Sequence, residues 1–465
     1  MERAQPKLDF IPPAFNPFIL KILFLLLPVF KKWRLQPWLP AGIGDIEVDR
    51  GETLAELLHQ FQMGKIRLIL AFRHCEVDDP LCGLHLFSRS LPQIAKQKNI
   101  PLQYPIHGHF MYDRGMPLWA GAWLGWFFSR IGGVPVHRGK ALDLLAIKKV
   151  RELLIDGRFP LVVAPEGATN GHSEIVSPLE PGVAQLGFWC AEDLVKANRQ
   201  EKVKIVPIGI QYFYINPQWS KIDRVLTQLE TDCGVSESQI AESSIEKEAF
   251  YYQRLYKIGE VLLSEMEEFY RRFYHRSFPQ LTDDVSSPEE IITMRLQTLL
   301  DEALKVAEEY FNLKSRGNTI ERCRRLEEAG WNYIYRQDIS SEKDLSPLKR
   351  GLADWTATEA SLYLKHMRLV ESFVAVTGKY IKEKPTFERY AETTLIFFDV
   401  VARIKGEKIP RRLRLGWRKA RITVSNPIDI SDRLSEYRQS RKAAKQAVND
   451  LTQDLQTALE QTIKN

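Results

Sequence analysis

Ile66-Arg67-Leu68-Ile69-Leu70-Ala71-Phe72-Arg73-His74-Cys75-Glu76-Val77-Asp78-Asp79 is the stretch on which the reading of this chain turns. Ile66–Phe72 is a short apolar run that reads as a buried strand, and the polar residues begin where it stops. Three further blocks repeat the arrangement in order: Gly133-Val134-Pro135-Val136-His137-Arg138-Gly139, Ala164-Pro165-Glu166-Gly167 and Ile205-Val206-Pro207-Ile208-Gly209-Ile210. Each contains or follows a short β-branched run, so each belongs where a strand gives way to a loop. Active sites of open α/β sheets collect at such strand ends.

Outward from these blocks, strand and helix patterns alternate from residue 64 to about 215. Leu102–Ile106, Leu161–Ala164 and Val203–Ile210 read as strands. Pro117–Ile131, Leu142–Asp156 and Gly182–Lys196 read as helices, the second stopping at Gly157 as its C-cap. The alternation predicts an α/β layer architecture. After about 220 the character changes: Ile245–Tyr274, Pro288–Leu313, Ile320–Tyr335, Thr356–Thr377 and Thr386–Ile404 all read as helices. Ser286-Ser287-Pro288-Glu289-Glu290 marks one helix start, with a cap residue, proline in the first turn and acids behind it. Arg421-Ile422-Thr423-Val424 then reads as a strand and Leu434–Ile463 as an amphipathic helix. The predicted organisation is an α/β sheet flanked by helices and interrupted by an α-helical insertion. An apolar segment covers 1–40, the α/β core 41–217 and the insertion 218–417; residues 418–465 return to complete the core.

With 465 residues, an ordinary apolar fraction and a net charge of +6, the chain is neither disordered nor polytopic, and its charge does not call for nucleic acid. Cys75, Cys82, Cys190, Cys233 and Cys323 lack the paired spacing of a zinc site or a disulfide framework and read as reduced thiols facing the cytosol. Near the N-terminus, the run Pro17–Phe30 is strongly apolar and meets Lys31-Lys32-Trp33-Arg34. It is shorter than the roughly 20 residues of a spanning helix and carries Lys21 and Pro28. An interfacial segment lying in a membrane surface is the expectation, with a helix packed on the protein's own core as the alternative.

His74 is the candidate general base, because neutral imidazole takes protons near pH 7 and an adjacent carboxylate fixes its tautomer. Spacing leaves that carboxylate open. Asp78 would face His74 on a continuous helix, whereas Asp79 requires a turn after Phe72.

The ordered blocks resemble the glycerolipid acyltransferases of the acylglycerol-phosphate acyltransferase family. These share a His-x4-Asp block, an Arg-containing second block, a Pro-Glu-Gly third block and a Val-Pro-containing fourth. His74 and Asp79 fit the first at the family spacing, which selects Asp79. Arg138 fits the second, Pro165-Glu166-Gly167 the third and Val206-Pro207-Ile208 the fourth. The resemblance covers about 64–215 and is silent on the insertion. It implies transfer of a fatty acyl group from a thioester, on coenzyme A or acyl carrier protein, to a lipid hydroxyl. His74 would be the base and Asp79 its orienter, and Arg138 would bind the acceptor headgroup. Glu166 would order Arg138 or touch the acceptor hydroxyls, and Gly167 would allow close backbone approach. No metal and no cofactor beyond the acyl donor is implied, and membrane lipids are the partners. The expected location is peripheral or monotopic on a membrane, with the site on the cytoplasmic side.

Departures from the family pattern widen the choice of acceptor. Where members commonly read Phe-Pro-Glu-Gly-Thr-Arg-Ser, this chain reads Ala164-Pro165-Glu166-Gly167-Ala168-Thr169-Asn170, without the second basic residue. Glu180 stands where a lysine is common; His172 or Lys140 could compensate. Three readings follow: an acyltransferase of the 1-acyl-glycerol-3-phosphate type, one for a neutral lipid alcohol, and an inactive lipid-binding relative. His107-Gly108-His109 lacks accompanying metal ligands, and Cys75 lacks a separate base. The basic run Lys405–Arg421 suits anionic headgroups or an acidic carrier protein, with a solvated loop as the plain alternative.

Overall fold

The computed structural model describes residues 2–33, 42–116, 121, 123–137, 143–235, 247–279, 287–339, 345–373, 379–407 and 410–463. The chain divides into two units. One comprises Phe10–His137, Leu142–Asn216 and Gly416–Asn465; the other is made mainly of Met1–Asp9 and Pro217–Leu415.

The first unit is built on an eight-stranded sheet. Its elements in chain order begin with α1 (Pro17–Lys32), β1 (Ile43–Asp49), α2 (Gly51–Gln62), β2 (Ile66–Phe72), α3 (Asp79–His85) and α4 (Leu91–Gln97). They continue through β3 (His109–Asp113), α5 (Trp123–Arg130), β4 (Gly133–Val136), α6 (Leu144–Asp156), β5 (Leu161–Val163), α7 (Gly182–Lys196) and β6 (Lys202–Tyr214). After the insertion come β7 (Arg418–Val424), β8 (Ile428–Asp429) and the C-terminal helix Arg441–Glu460. The strand order is β1-β7-β6-β2-β5-β3-β4, with β8 beside β6. Strands β6, β2, β5, β3 and β4 run parallel, and β7 pairs antiparallel with β6.

Parallel strands covered on both faces read as continuous apolar runs, and every residue of β2 is buried. Leu68, Leu70 and Phe72 join one core with α2, Ile208 and Ile422. Ile69 and Ala71 face the other, with α6, α7 and the C-terminal helix through Leu451 and Leu455. Arg67 is the polar exception. Its guanidinium donates to the carbonyls of Leu154 at 2.6 Å and Gly157 at 3.0 Å, satisfying the end of α6. Gly157 is that helix's cap residue but has extended geometry, φ −60° and ψ 139°.

Several elements differ from the sequence reading. Leu102–Ile106 is not a strand: Pro101 precedes it and Pro105 lies within it, which removes ladder donors, and the strand forms at His109–Asp113. Strand β1 and helix α2 precede the region in which alternation was read, and β1 pairs with β7. The helix expected over 434–463 breaks after Leu434–Tyr437, and Ser440 caps a new start at Arg441.

Helix α1 starts at Asn16, whose side chain accepts from the N–H of Phe18 at 2.9 Å. Leu20, Leu23 and Leu27 are buried, while Phe18, Ile22, Leu25, Leu26, Val29 and Trp33 are exposed. Lys31, in the last turn, is buried. Among the described residues no helix is long and apolar enough to cross a membrane.

The second unit is helical. Its elements are α8 (Trp219–Cys233), which the sequence reading missed, α9 (Lys247–Tyr274), α10 (Pro288–Tyr310), α11 (Thr319–Ile334), α12 (Pro347–Phe373) and α13 (Phe387–Ile404). Ser287 and Glu290 form a reciprocal capping box at the start of α10, as do Asn318 and Glu321 at α11. Leu299, Ala303, Leu326, Leu364 and Met367 are among the residues of its core. Gln5–Pro6 pairs with Tyr335–Arg336, so the first residues belong to this unit and not to the apolar segment that follows them.

His107 lies in the first unit, ringed by Phe15, Phe24, Phe87 and Phe159, and its Nε2 donates to the carbonyl of Ile131 at 2.8 Å. Burial lowers its pKa from 6.5 to about 4, so it is neutral when folded. An unfolded chain binds that proton first, so stability is present above pH 6.5 and lost as pH falls towards 4. His107→Phe is predicted to reduce the stability lost between pH 7 and pH 4 by about 3 kcal/mol, measured by urea unfolding at both pH values.

Candidate active site

The parallel strands carry the sequence blocks to one edge of the sheet. Phe72 is in register with Ile208, and β2 lies between β6 and β5, so the first, third and fourth blocks meet at the ends of adjacent strands. Arg73 continues the ladder for one more bond, its N–H donating to the carbonyl of Ile208 at 2.9 Å. The chain then turns, which brings Asp79 back to the imidazole.

His74 Nδ1 lies 3.0 Å from Asp79 Oδ2. The Asp79 carboxylate also accepts the N–H of Glu76 at 2.8 Å and the hydroxyl of Tyr212. An ionised carboxylate can only accept, so His74 Nδ1 is the donor to Asp79, and in the neutral ring the acceptor nitrogen is Nε2. The His74 side chain is 27% exposed, while that of Asp79 is 2% exposed. Nε2 has no hydrogen-bond partner among the described residues. Asp78, the rival by spacing, is fully buried and pairs with Arg418 from β7. The Arg418 guanidinium also lies 4.6 Å from the Tyr212 ring centroid. Burial opposes its charge, but Asp78 and then Glu76 more than offset this and hold its pKa above the ordinary value.

Arg73, fully buried, occupies the space behind the dyad. Its guanidinium donates to the carbonyl of His172 at 2.8 Å and to those of Ser173 and Ile175, and its Nε lies 3.5 Å from Glu166 Oε1. Glu166 in turn accepts the backbone N–H of Ser177 at 2.9 Å, that of His74 at 3.3 Å and the Asn170 amide at 3.3 Å. Burial pushes the Glu166 carboxyl up, opposed first by Arg73 and then by these N–H donors. The sequence reading put Glu166 against the acceptor or Arg138. Its carboxylate instead faces inward and holds the first and third blocks together, because all its donors come from those two loops.

Gly167 closes the turn from Ala164 at φ +71°, a conformation that favours glycine. Thr169, at the position of the second basic residue, is exposed and uncharged. His172 is buried, with Nδ1 3.0 Å from the Asn170 carbonyl, and so does not present a charge to solvent. Arg138 and Lys140 lie outside the described residues. Asp143 accepts the N–H of His137 at 3.1 Å and pairs with Arg114.

Residues 67–211 match the family model described as Acyltransferase. The match covers about a third of the chain and likens this segment to an acyltransferase domain. No curated protein and no solved structure matches the chain significantly. The match ends at Gln211, so the acyltransferase model includes His74, Asp79 and Glu166 but not Tyr212 or Arg418.

Other candidates read differently in place. Cys75 is fully buried beside the dyad, and burial followed by Asp79 raises its thiol pKa well above the ordinary value, which suits an inert thiol. Among the described residues no group of His, Cys, Asp and Glu could hold a metal ion. In the basic run, Lys405 pairs with Asp232, Arg412 with Asp399, Arg418 with Asp78, and Lys419 and Arg421 with Glu47. These cations of the run thus have protein carboxylates as neighbours, with Glu47 shared between two of them.

Tyr212 and Arg418 were not singled out from sequence. A polar tip on an otherwise apolar strand was the available signal for Tyr212, which sits two residues beyond Ile210 on the same face of β6. Tyr212→Phe is predicted to remove one of the donors holding Asp79. Acyl transfer should fall roughly tenfold in kcat with KM little changed, as expected when a general base is less well positioned.

Proposed function

We propose that this protein is a membrane-associated O-acyltransferase acting on a glycerolipid hydroxyl, of the 1-acyl-glycerol-3-phosphate type, with an acyl thioester on coenzyme A or acyl carrier protein as donor. The observation that carries the reading is the His74–Asp79 pair, 3.0 Å apart at the end of a central strand, with Nε2 unpartnered among the described residues. In this mechanism Nε2 takes the proton from the acceptor hydroxyl as its oxygen attacks the thioester carbonyl. The tetrahedral oxyanion collapses, the C–S bond breaks, and the imidazolium returns the proton to the departing thiolate. Asp79 holds the ring and stabilises the imidazolium between the two transfers. Arg138 is the forked cation for an anionic headgroup, and Arg73 and Glu166 are positioning residues. No resident cofactor or metal is required by this chemistry.

Membrane association rests on the outward face of α1, where Phe18, Leu25 and Trp33 are exposed while Leu20 and Leu23 pack inward. Helix α5 adds exposed Trp123 and Trp126, and its Phe127 and Phe128 pack in the same cluster as Leu20 and Leu23. Aromatic and aliphatic groups displayed in this way suit a peripheral seat in the headgroup layer, here assigned to the cytoplasmic face, with phospholipid synthesis as the process served. A second reading, transfer to a neutral lipid alcohol, is favoured by exposed, uncharged Thr169 at the expected basic position.

The test supplies labelled long-chain acyl thioester on coenzyme A and on acyl carrier protein, with lysophosphatidic acid, other lysophospholipids and neutral alcohols as acceptors. His74→Ala is predicted to reduce transfer at least 10³-fold. Transfer unaffected by this substitution would remove His74 from the mechanism. Preference for an uncharged acceptor would select the second reading.

A further inference from the structure

The helical unit contains a feature that acyl transfer at His74 does not use. Between α9, α10, α12 and α13 lies a cavity of about 110 Å³, open on one side. Its walls are apolar, with Leu255, Leu262, Leu296, Phe397 and Val400 among them. Along α9 it runs from Tyr252 to Met266, about 21 Å at 1.5 Å per residue. An apolar cavity whose lining extends over that length of helix suits a hydrocarbon chain.

Gly259 gives a second and independent pointer. It stands inside the 28-residue helix α9, where glycine is a poor helix former, and its backbone has no left-handed torsion to require it. An added Cβ would lie 3.4 Å from the Phe397 ring, so any larger side chain would enter the slot. The glycine preserves room at the cost of helix propensity.

One end of the slot is polar. Glu289, itself buried, accepts the Tyr252 hydroxyl at 3.1 Å and the Lys382 ammonium at 2.8 Å. Next to it Lys379 pairs with Glu290 at 3.1 Å. Among the described residues at this end, the two lysines are thus matched by two glutamates. A hydroxyl head can donate to Glu289, whereas a carboxylate or phosphate would meet its charge.

We propose that this slot binds the single hydrocarbon chain of a lipid with an uncharged, hydroxyl-bearing head, such as a monoacylglycerol. The site lies within the helical unit and does not depend on the reaction assigned to His74.

The test is equilibrium binding of tritiated 1-monopalmitoylglycerol to the full chain, with palmitate and 1-palmitoyl-lysophosphatidic acid as competitors. Saturable binding of one molecule per chain is expected, with the neutral lipid favoured at least tenfold over both anions. Gly259→Leu should weaken binding at least tenfold without lowering the thermal midpoint, and Leu262→Trp provides the same obstruction from a second position. His74→Ala should bind as the wild type does. Binding that survives both obstructing variants, or that is lost in His74→Ala, would place the lipid elsewhere and overturn the proposal. Absence of saturable binding, or preference for either anion, would overturn it as well.

Discussion

The buried pair Arg73–Glu166 is the constraint from which the site's geometry follows. Both side chains are fully removed from solvent, a costly state for two charges unless their remaining polar atoms are satisfied. Here most of them are engaged by the backbone of the very loops that need fixing, while Arg73 Nε meets Glu166 only as an ion pair at 3.5 Å. Arg73 gathers the carbonyls of His172, Ser173 and Ile175, and Glu166 gathers the N–H groups of His74 and Ser177. Two segments some 92 residues apart in sequence are thereby locked at a single point. His74 is the residue next to that lock, so its backbone has little freedom, and the turn to Asp79 completes the imidazole's placement.

The C-terminal strand makes the catalytic unit continuous again after the helical insertion. Strand β7 lies between β1 and β6, so the sheet would be divided without it. It also brings Arg418 to Asp78, which removes the competing carboxylate from His74 and leaves Asp79 as its partner. Tyr212, beneath the Arg418 guanidinium, spends its hydroxyl on Asp79. Residues of the family-matched segment and residues beyond it therefore act on one carboxylate.

What could be read from sequence follows from where the signal was local. Ile66–Phe72 announced a strand because both its faces are covered, and the Ser287 cap announced α10 because a capping box is a contact between residues three apart. The choice between Asp78 and Asp79 could not come from spacing, since it is decided by Arg418, 340 residues away in the chain. The resemblance puts Glu166 beside Arg138 or the acceptor hydroxyls; its inward orientation rests on Arg73, whose position before His74 is visible in sequence but whose burial is not. Strand β1 was missed because its exposed Gly44 and Asp45 dilute the apolar pattern, and its pairing partner comes only at β7.

The most direct measurement is a double-mutant cycle on Arg73 and Glu166, using Arg73→Met, Glu166→Leu and both together, read as unfolding free energy in urea. Each single change strands a buried charge and should cost about 3–5 kcal/mol. The double variant should lose clearly less than the sum, with a coupling of about 2 kcal/mol. Full recovery is not expected, because the carbonyls that Arg73 served remain without a donor. Additive losses, with coupling below about 0.5 kcal/mol, would show that the two residues act independently and that the loops carrying His74 are held by something else.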